Sequence, residues 1–337
     1  MRRFRLTVLA AALALTACGS PQTAISGAAL PAPPAAWAEF RHLPGVVDLA
    51  GPRSDGSFLV AAAGRLFILG RDGALSPFAR GAGGYQTATG TEPYLVIVNG
   101  VSAQGGHCAF PEDAAFAIQP GMQPGVIMIS PAGRARRFAG LPPGSTLSGI
   151  AFDATGRFGR RLLVTAGLHG RTTVFGIGCD GRLSTVTAGG PPVEGGIVVA
   201  PATFGEFGGD LIAPNETSGR VYAVTPSGRV VILARSGLPA GGDIGAESTG
   251  FAPAAAAAMY LADRFTPGNR HPGDDAILRL SAAGLARAGI RAGDLLVATE
   301  GGAKTIDVRC AAACAVRYVA AGPAIAHAEG HIVFSSS

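Results

Sequence analysis

The sequence predicts an all-β fold, and composition is the first observation that favours it. Of the 337 residues, 51 are Gly and 24 are Pro. They recur every few residues along the chain, and long helices do not tolerate that spacing. Only 15% of the residues are charged, whereas 48% are hydrophobic, so the chain has enough apolar surface to fold and is not intrinsically disordered. The glycines show no period of three, which excludes collagen.

A repeated phrase of four short apolar runs is the second observation. Its clearest copy begins at Glu194, and every run is bounded by Gly, Pro, Asn or Asp, as strands are. Other copies begin at Ser57, Glu92, Ser148 and Glu247. A spacing of about 45 to 55 residues with four strands per unit is typical of β-propeller blades. We therefore predict one six-bladed β-propeller of four-stranded antiparallel blades over residues 41–337. A pair of β-sandwiches or a parallel β-helix is the alternative.

The last apolar phrase, residues 328–334, begins a further copy but has no successors. A lone first strand has to pair with strands from elsewhere in the chain, because an isolated strand leaves its backbone groups unpaired. We expect it to join a blade begun at the other end of the chain and so to close the ring.

The first residues are predicted to direct export rather than to form structure. Three arginines in the first five residues precede an apolar run of twelve residues, which is too short to cross a bilayer but fits a signal peptide. The following Leu15-Thr16-Ala17-Cys18 resembles the bacterial lipobox. That resemblance implies that residues 1–17 are a lipoprotein signal peptide. It also implies that Cys18 is acylated, with fatty acids such as palmitate. Residues 18–40 then form a lipid-anchored flexible tether, and the protein is expected in the cell envelope, facing the periplasm or the exterior. An ordinary buried amphipathic segment is the alternative.

Export changes the interpretation of the other cysteines. Four remain, and an even number in an oxidising compartment suggests two disulfides. Cys310 and Cys314 end and begin two β-type runs separated by three alanines, so a hairpin would place their sulfurs together. Cys108 and Cys179 pair by elimination. A zinc site using these cysteines is the alternative.

The basic character of the chain largely disappears with the signal peptide. Without its three arginines, 27 basic residues become 24 against 22 acidic residues. The remaining basic runs, at residues 134–137 and 157–161, are short and lie in strand-turn contexts, so we expect no nucleic-acid partner. We expect a monomer.

A glutamate recurs at the start of the repeated phrase, at Glu92, Glu194, Glu247 and Glu329. The first strand of each propeller blade lines the central channel, so these carboxylates are expected to converge there. Calcium suits such a cage because it accepts six to eight oxygen ligands, and Asn215 is a candidate for an additional ligand. Two alternatives stand beside this one: the glutamates accept hydrogen bonds that fix the blade junctions, or they act directly in catalysis.

His327, Glu329 and His331 alternate along the last strand and are expected to share one face. The two histidines would be too far apart to bind the same ion, so a zinc site here would gain at most two ligands from the strand. The sequence contains no G-x-S-x-G, Walker or H-E-x-x-H motif, and no catalytic residue is assigned.

Residues 194–230, with the phrases EGGIVVAP and GGDLIAPNETSGRVYAVTPSGRV, resemble NHL-type and gluconolactonase (senescence-marker-protein) propellers. The resemblance implies six blades around a channel that holds a divalent metal, often calcium, on Glu, Asp and Asn side chains. We expect a membrane-anchored extracytoplasmic module that binds a small molecule or an envelope protein. The alternative is a metal-dependent hydrolase of the lactonase type.

Overall fold

Short β-strands separated by glycine turns build six sheets in the computed structural model, which describes residues 30–98 and 108–336. The chain divides into a unit at residues 1–31 and a unit at residues 32–337, and the second contains all the sheets. The predicted signal peptide, residues 1–17, and Cys18 lie outside the described residues.

The strands of the first four blades follow each other along the chain. The N-terminal strands are β1 (Ala35–Ala36) and β2 (Ala38–His42). Blade I contains β3 (Val46–Ala50), β4 (Phe58–Ala62), β5 (Arg65–Leu69) and β6 (Leu75–Phe78). Blade II contains β7 (Leu95–Val98), β8 (Ala114–Gln119), β9 (Gly125–Ile129) and β10 (Ala135–Gly140). Blade III contains β11 (Thr146–Phe152), β12 (Leu162–Leu168), β13 (Arg171–Ile177) and β14 (Leu183–Gly190). Blade IV contains β15 (Val198–Val199), β16 (Leu211–Asn215), β17 (Arg220–Val224) and β18 (Val230–Arg235).

The remaining elements form blades V and VI, whose strands are interleaved in sequence. They are β19 (Ala246–Phe251), β20 (Ala256–Asp263), β21 (Ala276–Ser281), α1 (Ala282–Ala288), β22 (Leu295–Thr299), β23 (Thr305–Cys310), β24 (Cys314–Ala321) and β25 (Ala328–Ser336). Blade V has the order β19-β22-β23-β24, and blade VI has the order β25-β20-β21-β2. After β19 the chain therefore leaves blade V, forms β20 and β21 in the middle of blade VI, and returns to blade V at β22.

This topology confirms ring closure by the last strand and adds a feature that the repeat did not predict. β25 pairs with β20, with Ala262 opposite Glu329, and β2 supplies the outer strand of the same blade. Each inner strand contacts the inner strand of the next blade, from β3 round to β25 and back to β3. Both ends of the chain are thus held in blade VI, while its middle strands come from residues 256–281.

The predicted boundary between tether and propeller, at residues 40 and 41, is wrong by several residues. β1 pairs in parallel with β24 as a fifth strand of blade V, and Trp37 is buried between blades V and VI. A short Ala-rich segment has no strand pattern of its own. It becomes a strand because the edge of a neighbouring sheet offers unpaired backbone groups.

Apolar side chains fill the spaces between adjacent blades. Separate clusters lie between blades I and II, II and III, III and IV, V and VI, and VI and I. One four-stranded sheet cannot bury both of its faces, so radial stacking is what removes this surface from water. In the described part of the chain no helix is long and apolar enough to cross a membrane.

Both predicted disulfides are present. Cys310 and Cys314 are register partners at the neck of the β23–β24 hairpin and are bonded to each other. Cys108 precedes β8 in blade II and is bonded to Cys179 in the β13–β14 turn of blade III. The second bond therefore joins two neighbouring blades.

A candidate cation site at one mouth of the central channel

The acidic side chains gather where the inner strands begin. Glu92 precedes β7, Glu194 precedes β15, and Glu247 and Glu329 are the second residues of β19 and β25. Inner strands of a propeller all run in the same direction, so their first residues share one mouth of the channel and their last residues share the other. We call the first end the acidic mouth.

A second set of charged residues reaches the acidic mouth from the ends of second strands. Glu216 follows β16 in blade IV, Glu300 follows β22 in blade V, and Arg264 follows β20 in blade VI. The sequence analysis missed all three. For the two glutamates the sequence did contain a signal, because GDLIAPNE at residues 209–216 aligns with GDLLVATE at residues 293–300.

The hydroxyl of Tyr94 joins two of the predicted glutamates. It lies 3.0 Å from Oε1 of Glu247 and 2.9 Å from Oε2 of Glu329, and all three side chains are buried. One hydroxyl proton cannot serve two carboxylates. Burial and the nearby charge of Glu329 raise the pKa of Glu247 well above its ordinary value. The Tyr94 hydroxyl therefore bridges the two carboxyl groups, and the raised pKa of Glu247 favours the protonated form of that side chain.

Arg264 neutralises the other side of Glu329. Its Nη1 donates to Oε1 of Glu329 at 3.1 Å and also to Oε1 of Glu92. Burial, followed by the charge of Glu329, raises the pKa of Glu92. Burial acts in the same direction on Glu329, but the hydrogen bond from His327 and the charge of Arg264 outweigh it and lower the pKa of Glu329. Glu329 is therefore the ionised member of this group.

His327 stands between Glu300 and Glu329. Its Nε2 is 2.8 Å from Oε1 of Glu300 and 3.6 Å from Oε1 of Glu329. Burial alone would lower the pKa of His327, but the two carboxylates raise it to about 10. The imidazole is therefore protonated and holds a positive charge inside the acidic mouth. His327 and Glu329 meet as the alternation predicted, whereas His331 points elsewhere.

Glu216, Asp243 and Glu300 form a group of carboxylates in which, among the described residues, only Glu300 has a counter-ion, His327. One oxygen from each lies within 4.8 Å of the others. No arginine, lysine or histidine in the described part of the chain forms an ion pair with Glu216 or Asp243. Burial and the neighbouring Glu300 raise the pKa of Glu216 to about 7. Two close carboxylates repel unless a proton or a cation lies between them.

The donor set fits a hard divalent cation. Glu300 shares a side-chain hydrogen bond with Glu216, and its buried Oε2 meets no N–H donor among the described residues, in a side chain that is only 9% exposed. Carboxylate oxygens are the ligands that Ca²⁺ prefers. The alternative group of Glu300, His327 and Glu329 is equally compact, but Arg264 and the protonated His327 already balance its charge. The oxygen-only group is therefore the better cation site.

The other predicted ligands have different positions. Glu194 has an exposed side chain at the acidic mouth. Partial burial, with Glu216 and Glu92 nearby, raises the pKa of Glu194 to about 7. The Asn215 amide makes local hydrogen bonds: Oδ1 accepts from the amide of Ser218 at 2.7 Å, and Nδ2 donates to the carbonyl of Pro192. Glu92 accepts a hydrogen bond from Arg264, and Glu247 is hydrogen-bonded to Tyr94.

His331 lies deeper in the channel, in a second buried ion pair. Gly330 has a φ of +68° and interrupts the alternation of β25, so His331 turns away from the acidic mouth. Its Nδ1 is 3.0 Å from Oδ2 of Asp48, and its Nε2 is 3.0 Å from the carbonyl of Ile150. Burial would lower the pKa of His331, but the Asp48 carboxylate outweighs it and raises this pKa.

Comparison with known proteins finds distant matches among solved structures. No protein-family model and no curated protein matches the chain. Among solved structures, virginiamycin B lyase from Staphylococcus aureus is 12% identical, with 84% of this chain and 88% of that one covered and a TM-score of 0.44. A gluconolactonase-family protein is 12% identical, with 80% and 77% covered and a TM-score of 0.45. A TolB-like protein from Agrobacterium tumefaciens is 9% identical, with 86% and 90% covered and a TM-score of 0.47.

Proposed function

We propose that the protein is a lipid-anchored, extracytoplasmic binding module that holds a divalent cation, Ca²⁺, at the acidic mouth of its channel. The observation that carries the proposal is the group of Glu216, Asp243 and Glu300, in which Glu216 and Asp243 form no ion pair among the described residues and Glu300 contributes a buried carboxylate oxygen. A cation there would present open coordination positions to a small molecule or to a protein of the envelope. The lipobox ending in Cys18 and the two disulfides support the proposed location.

Three groups would hold the cation in distinct ways. Glu300 is fixed by His327 and contributes a buried oxygen. Glu216 is half-buried, and its Oε1 accepts a hydrogen bond from the amide of Asp243. The Asp243 carboxylate is exposed and lies on the side from which a ligand would arrive. This graded burial suits a site that is rigid on one side and open on the other.

The test is metal analysis of the full chain purified in detergent, followed by thermal melts with a chelator and with added CaCl₂. We expect bound calcium, a lower melting temperature with the chelator, and recovery on adding Ca²⁺, because a ligand at about 100 times its Kd stabilises a fold by about 2.7 kcal/mol. Glu216→Gln and Asp243→Asn should remove this response, whereas Glu206→Gln, at an exposed site in blade IV, should keep it. A melting temperature that changes neither with the chelator nor with added Ca²⁺ would contradict the cation site.

The anchor has a separate test. Cys18→Ala should block cleavage of the signal peptide. It should also prevent treatment with a lipoprotein-specific lipase from releasing the chain from membranes. If processing and membrane association are unchanged in that variant, the lipobox interpretation is wrong, and the cation site is unaffected.

A metal-dependent hydrolase of the lactonase type is the second candidate function, and one observation favours it. Glu194 is exposed beside the cation group, and its pKa of about 7 suits a group that takes up a proton near neutral pH. A bound cation would polarise a carbonyl. Glu194→Gln should then reduce lactone hydrolysis by roughly 10²- to 10⁴-fold while the thermal response to Ca²⁺ is kept. If the calcium-loaded chain does not hydrolyse lactones, the hydrolase function is contradicted and the binding function is the one that stands.

A further inference from the structure

The opposite mouth of the channel is an apolar cavity. It has a volume of about 400 Å³ and is lined by the last residues of the inner strands of all six blades, among them Phe152, Val199, Phe251 and Phe334. Among the described residues that line it, only His331 and Ser336 have polar side chains, and His331 is occupied by Asp48 and the carbonyl of Ile150. The volume falls at the lower end of the roughly 300–1,000 Å³ that small-molecule pockets occupy.

A cleft of about 370 Å³ adjoins this cavity on the same face. Pro52 and Ser336 line both spaces. Three arginines line the cleft, namely Arg53, Arg71 and Arg279. None of them forms an ion pair with a carboxylate in the described part of the chain. The cleft is therefore positively charged next to an apolar space.

Aromatic rings and backbone hold two of these guanidinium groups in place. Arg279 lies over the rings of Phe40 and Tyr260, at 5.2 and 5.9 Å from their centroids, and its buried Nε has no hydrogen-bond partner among the described residues. The Arg71 guanidinium packs against Gly56, where a Cβ would leave it no room. Positioned guanidinium groups with free donors are typical of sites for carboxylates and phosphates.

Two nearby carboxylates do not cancel this charge. Asp113 is occupied by the amide and the hydroxyl of Ser54, which lines the cleft, at 2.8 and 2.5 Å. Asp55 lies close enough to Arg53 and Arg71 to feel their charges. Its Oδ1, however, accepts the amide and the hydroxyl of Ser57, at 2.9 and 2.5 Å. Three arginines against these two occupied carboxylates leave the cleft with a net positive charge.

We propose that this face binds a single-chain anionic amphiphile. Its apolar chain lies in the channel cavity, and its carboxylate or phosphate lies in the cleft formed by Arg53, Arg71 and Arg279. The site is separate from the acidic mouth at the other end of the channel, so it does not depend on the proposed cation. The cavity has room for one chain, which favours a free fatty acid or acyl phosphate over a two-chain bilayer lipid.

Photolabelling locates the site. The full chain, held in phosphatidylcholine nanodiscs to avoid detergent in the cavity, is irradiated with dodecanoic acid that carries a diazirine at its chain end. We expect the label on peptides containing residues 151–154, 197–199 and 250–253. An otherwise identical dodecylamine should label these peptides at least about tenfold less, because its charge is of the wrong sign. Equal labelling by the acid and the amine would overturn the proposal.

Chain length gives a second measure of the cavity. Each methylene added between octanoate and dodecanoate should strengthen competition with the photolabel about fourfold, the fold-change that corresponds to about 0.8 kcal/mol. Competition that does not depend on chain length would show that the apolar cavity is not used.

Paired variants separate the head group from the chain. Arg53→Gln with Arg71→Gln should reduce labelling at least about tenfold. Arg182→Gln, at a site whose side chain is 90% exposed, is the matched control and should not. Val199→Trp, which fills the cavity, should abolish labelling of residues 197–199, and circular dichroism checks that it folds. Unchanged labelling in the double variant would contradict the arginine site.

Two further measurements are needed. One distinguishes a free fatty acid from a bilayer lipid as the ligand, and the other tests whether this site is independent of the proposed cation site. A photoactivatable phosphatidylglycerol in the nanodisc should label the cavity peptides less than the fatty acid does, and the reverse result would replace the single-chain ligand with a bilayer lipid. Glu216→Gln, at the acidic mouth, should leave fatty-acid labelling unchanged. A loss in that variant would contradict the separation of the two sites.

Discussion

At the scale of single residues, the acidic mouth depends on how each carboxyl group is partnered. Arg264 and His327 hold positive charge beside Glu329, and Tyr94 connects Glu329 to a protonated Glu247. Buried charges are tolerated only when such partners are present. Glu216 and Asp243 lack them, and for that reason the cation site is proposed there.

Tyr94→Phe should destabilise the fold by roughly 1–3 kcal/mol, because two buried carboxyl groups lose their shared hydroxyl. Chemical denaturation followed by circular dichroism measures the change. Tyr318→Phe, in the outer strand β24, is the matched control and should change stability little. A Tyr94→Phe variant as stable as the control would show that the hydroxyl does not join the two glutamates.

Asp210 predicts a pH dependence of stability. It is buried, and burial raises its pKa from 3.8 to about 6 despite Arg157 and Arg229 nearby. The folded state therefore binds this proton more tightly than the unfolded state does. Its stabilising contribution is complete below about pH 4 and is lost as the pH rises through about 6.

Asp210→Asn should consequently stabilise the protein by roughly 1–3 kcal/mol at pH 8 and have little effect at pH 4. Thermal melts across this range give the difference, with Asp180→Asn as the exposed control. A gain that is the same at both pH values would mean that burial of the charged form is not the cause.

At the scale of elements, the N-terminal strands and the interleaved strands of blades V and VI decide how the ring closes. β1 extends blade V, β2 completes blade VI, and Trp37 between them fills the space between the blades. The Trp37 Nε1 donates to Oγ1 of Thr305 at 2.9 Å. Strands of two and five residues on either side of one large buried ring thus connect residues 35–42 to both blades.

Trp37→Ala should destabilise the fold by about 3–5 kcal/mol, the usual cost of removing a buried aromatic side chain. Trp37→Phe keeps most of the apolar volume and should lose only about 1 kcal/mol with the hydrogen bond. Equilibrium unfolding measures both. Equal and small losses would show that the N-terminal strands do not hold blades V and VI together.

At the scale of the whole molecule, the two disulfides differ in what they join. Cys108–Cys179 closes a separation of 71 residues between blades II and III, whereas Cys310–Cys314 closes a separation of four within one hairpin. A cross-link restricts the unfolded chain more when its loop is longer. The first bond therefore constrains the ring, and the second constrains only a turn.

Replacing Cys108 and Cys179 by Ala should cost about 4 kcal/mol, against roughly 2 kcal/mol for replacing Cys310 and Cys314. Denaturation of the two double variants under non-reducing conditions gives the comparison. The opposite order would contradict the loop-length explanation.

The sequence predicted the blades because strands and turns are local. Residues 194–233 already show the four apolar runs that became β15 to β18. The disulfides followed from the same local pattern and from the export signal. Glu300 and Glu216 were also present at equivalent positions, and aligning the ends of the second strands would have found them.

Other features depended on which segments meet in space. Arg264 takes the position in blade VI that Glu216 and Glu300 take in blades IV and V, and so it places a cation among the acids. Gly330 turns His331 towards Asp48, although strict alternation would have kept it beside Glu329. Neither outcome can be obtained from a period-two pattern, because one irregular backbone conformation changes the direction of every later side chain.

By itself, the sequence determined the all-β class, the number of blades, both disulfide pairs and the presence of glutamates at the start of the inner strands. Only the tertiary structure decided that β20 and β21 leave blade V for blade VI, that residues 35–42, most of them within the predicted tether, complete both blades, and that Glu216 and Asp243 are the carboxylates left without an ion pair among the described residues beside Glu300. The physical reason is that strand formation follows from local side-chain pattern and turn residues, whereas sheet partners and charge balance follow from contacts between residues far apart in the chain.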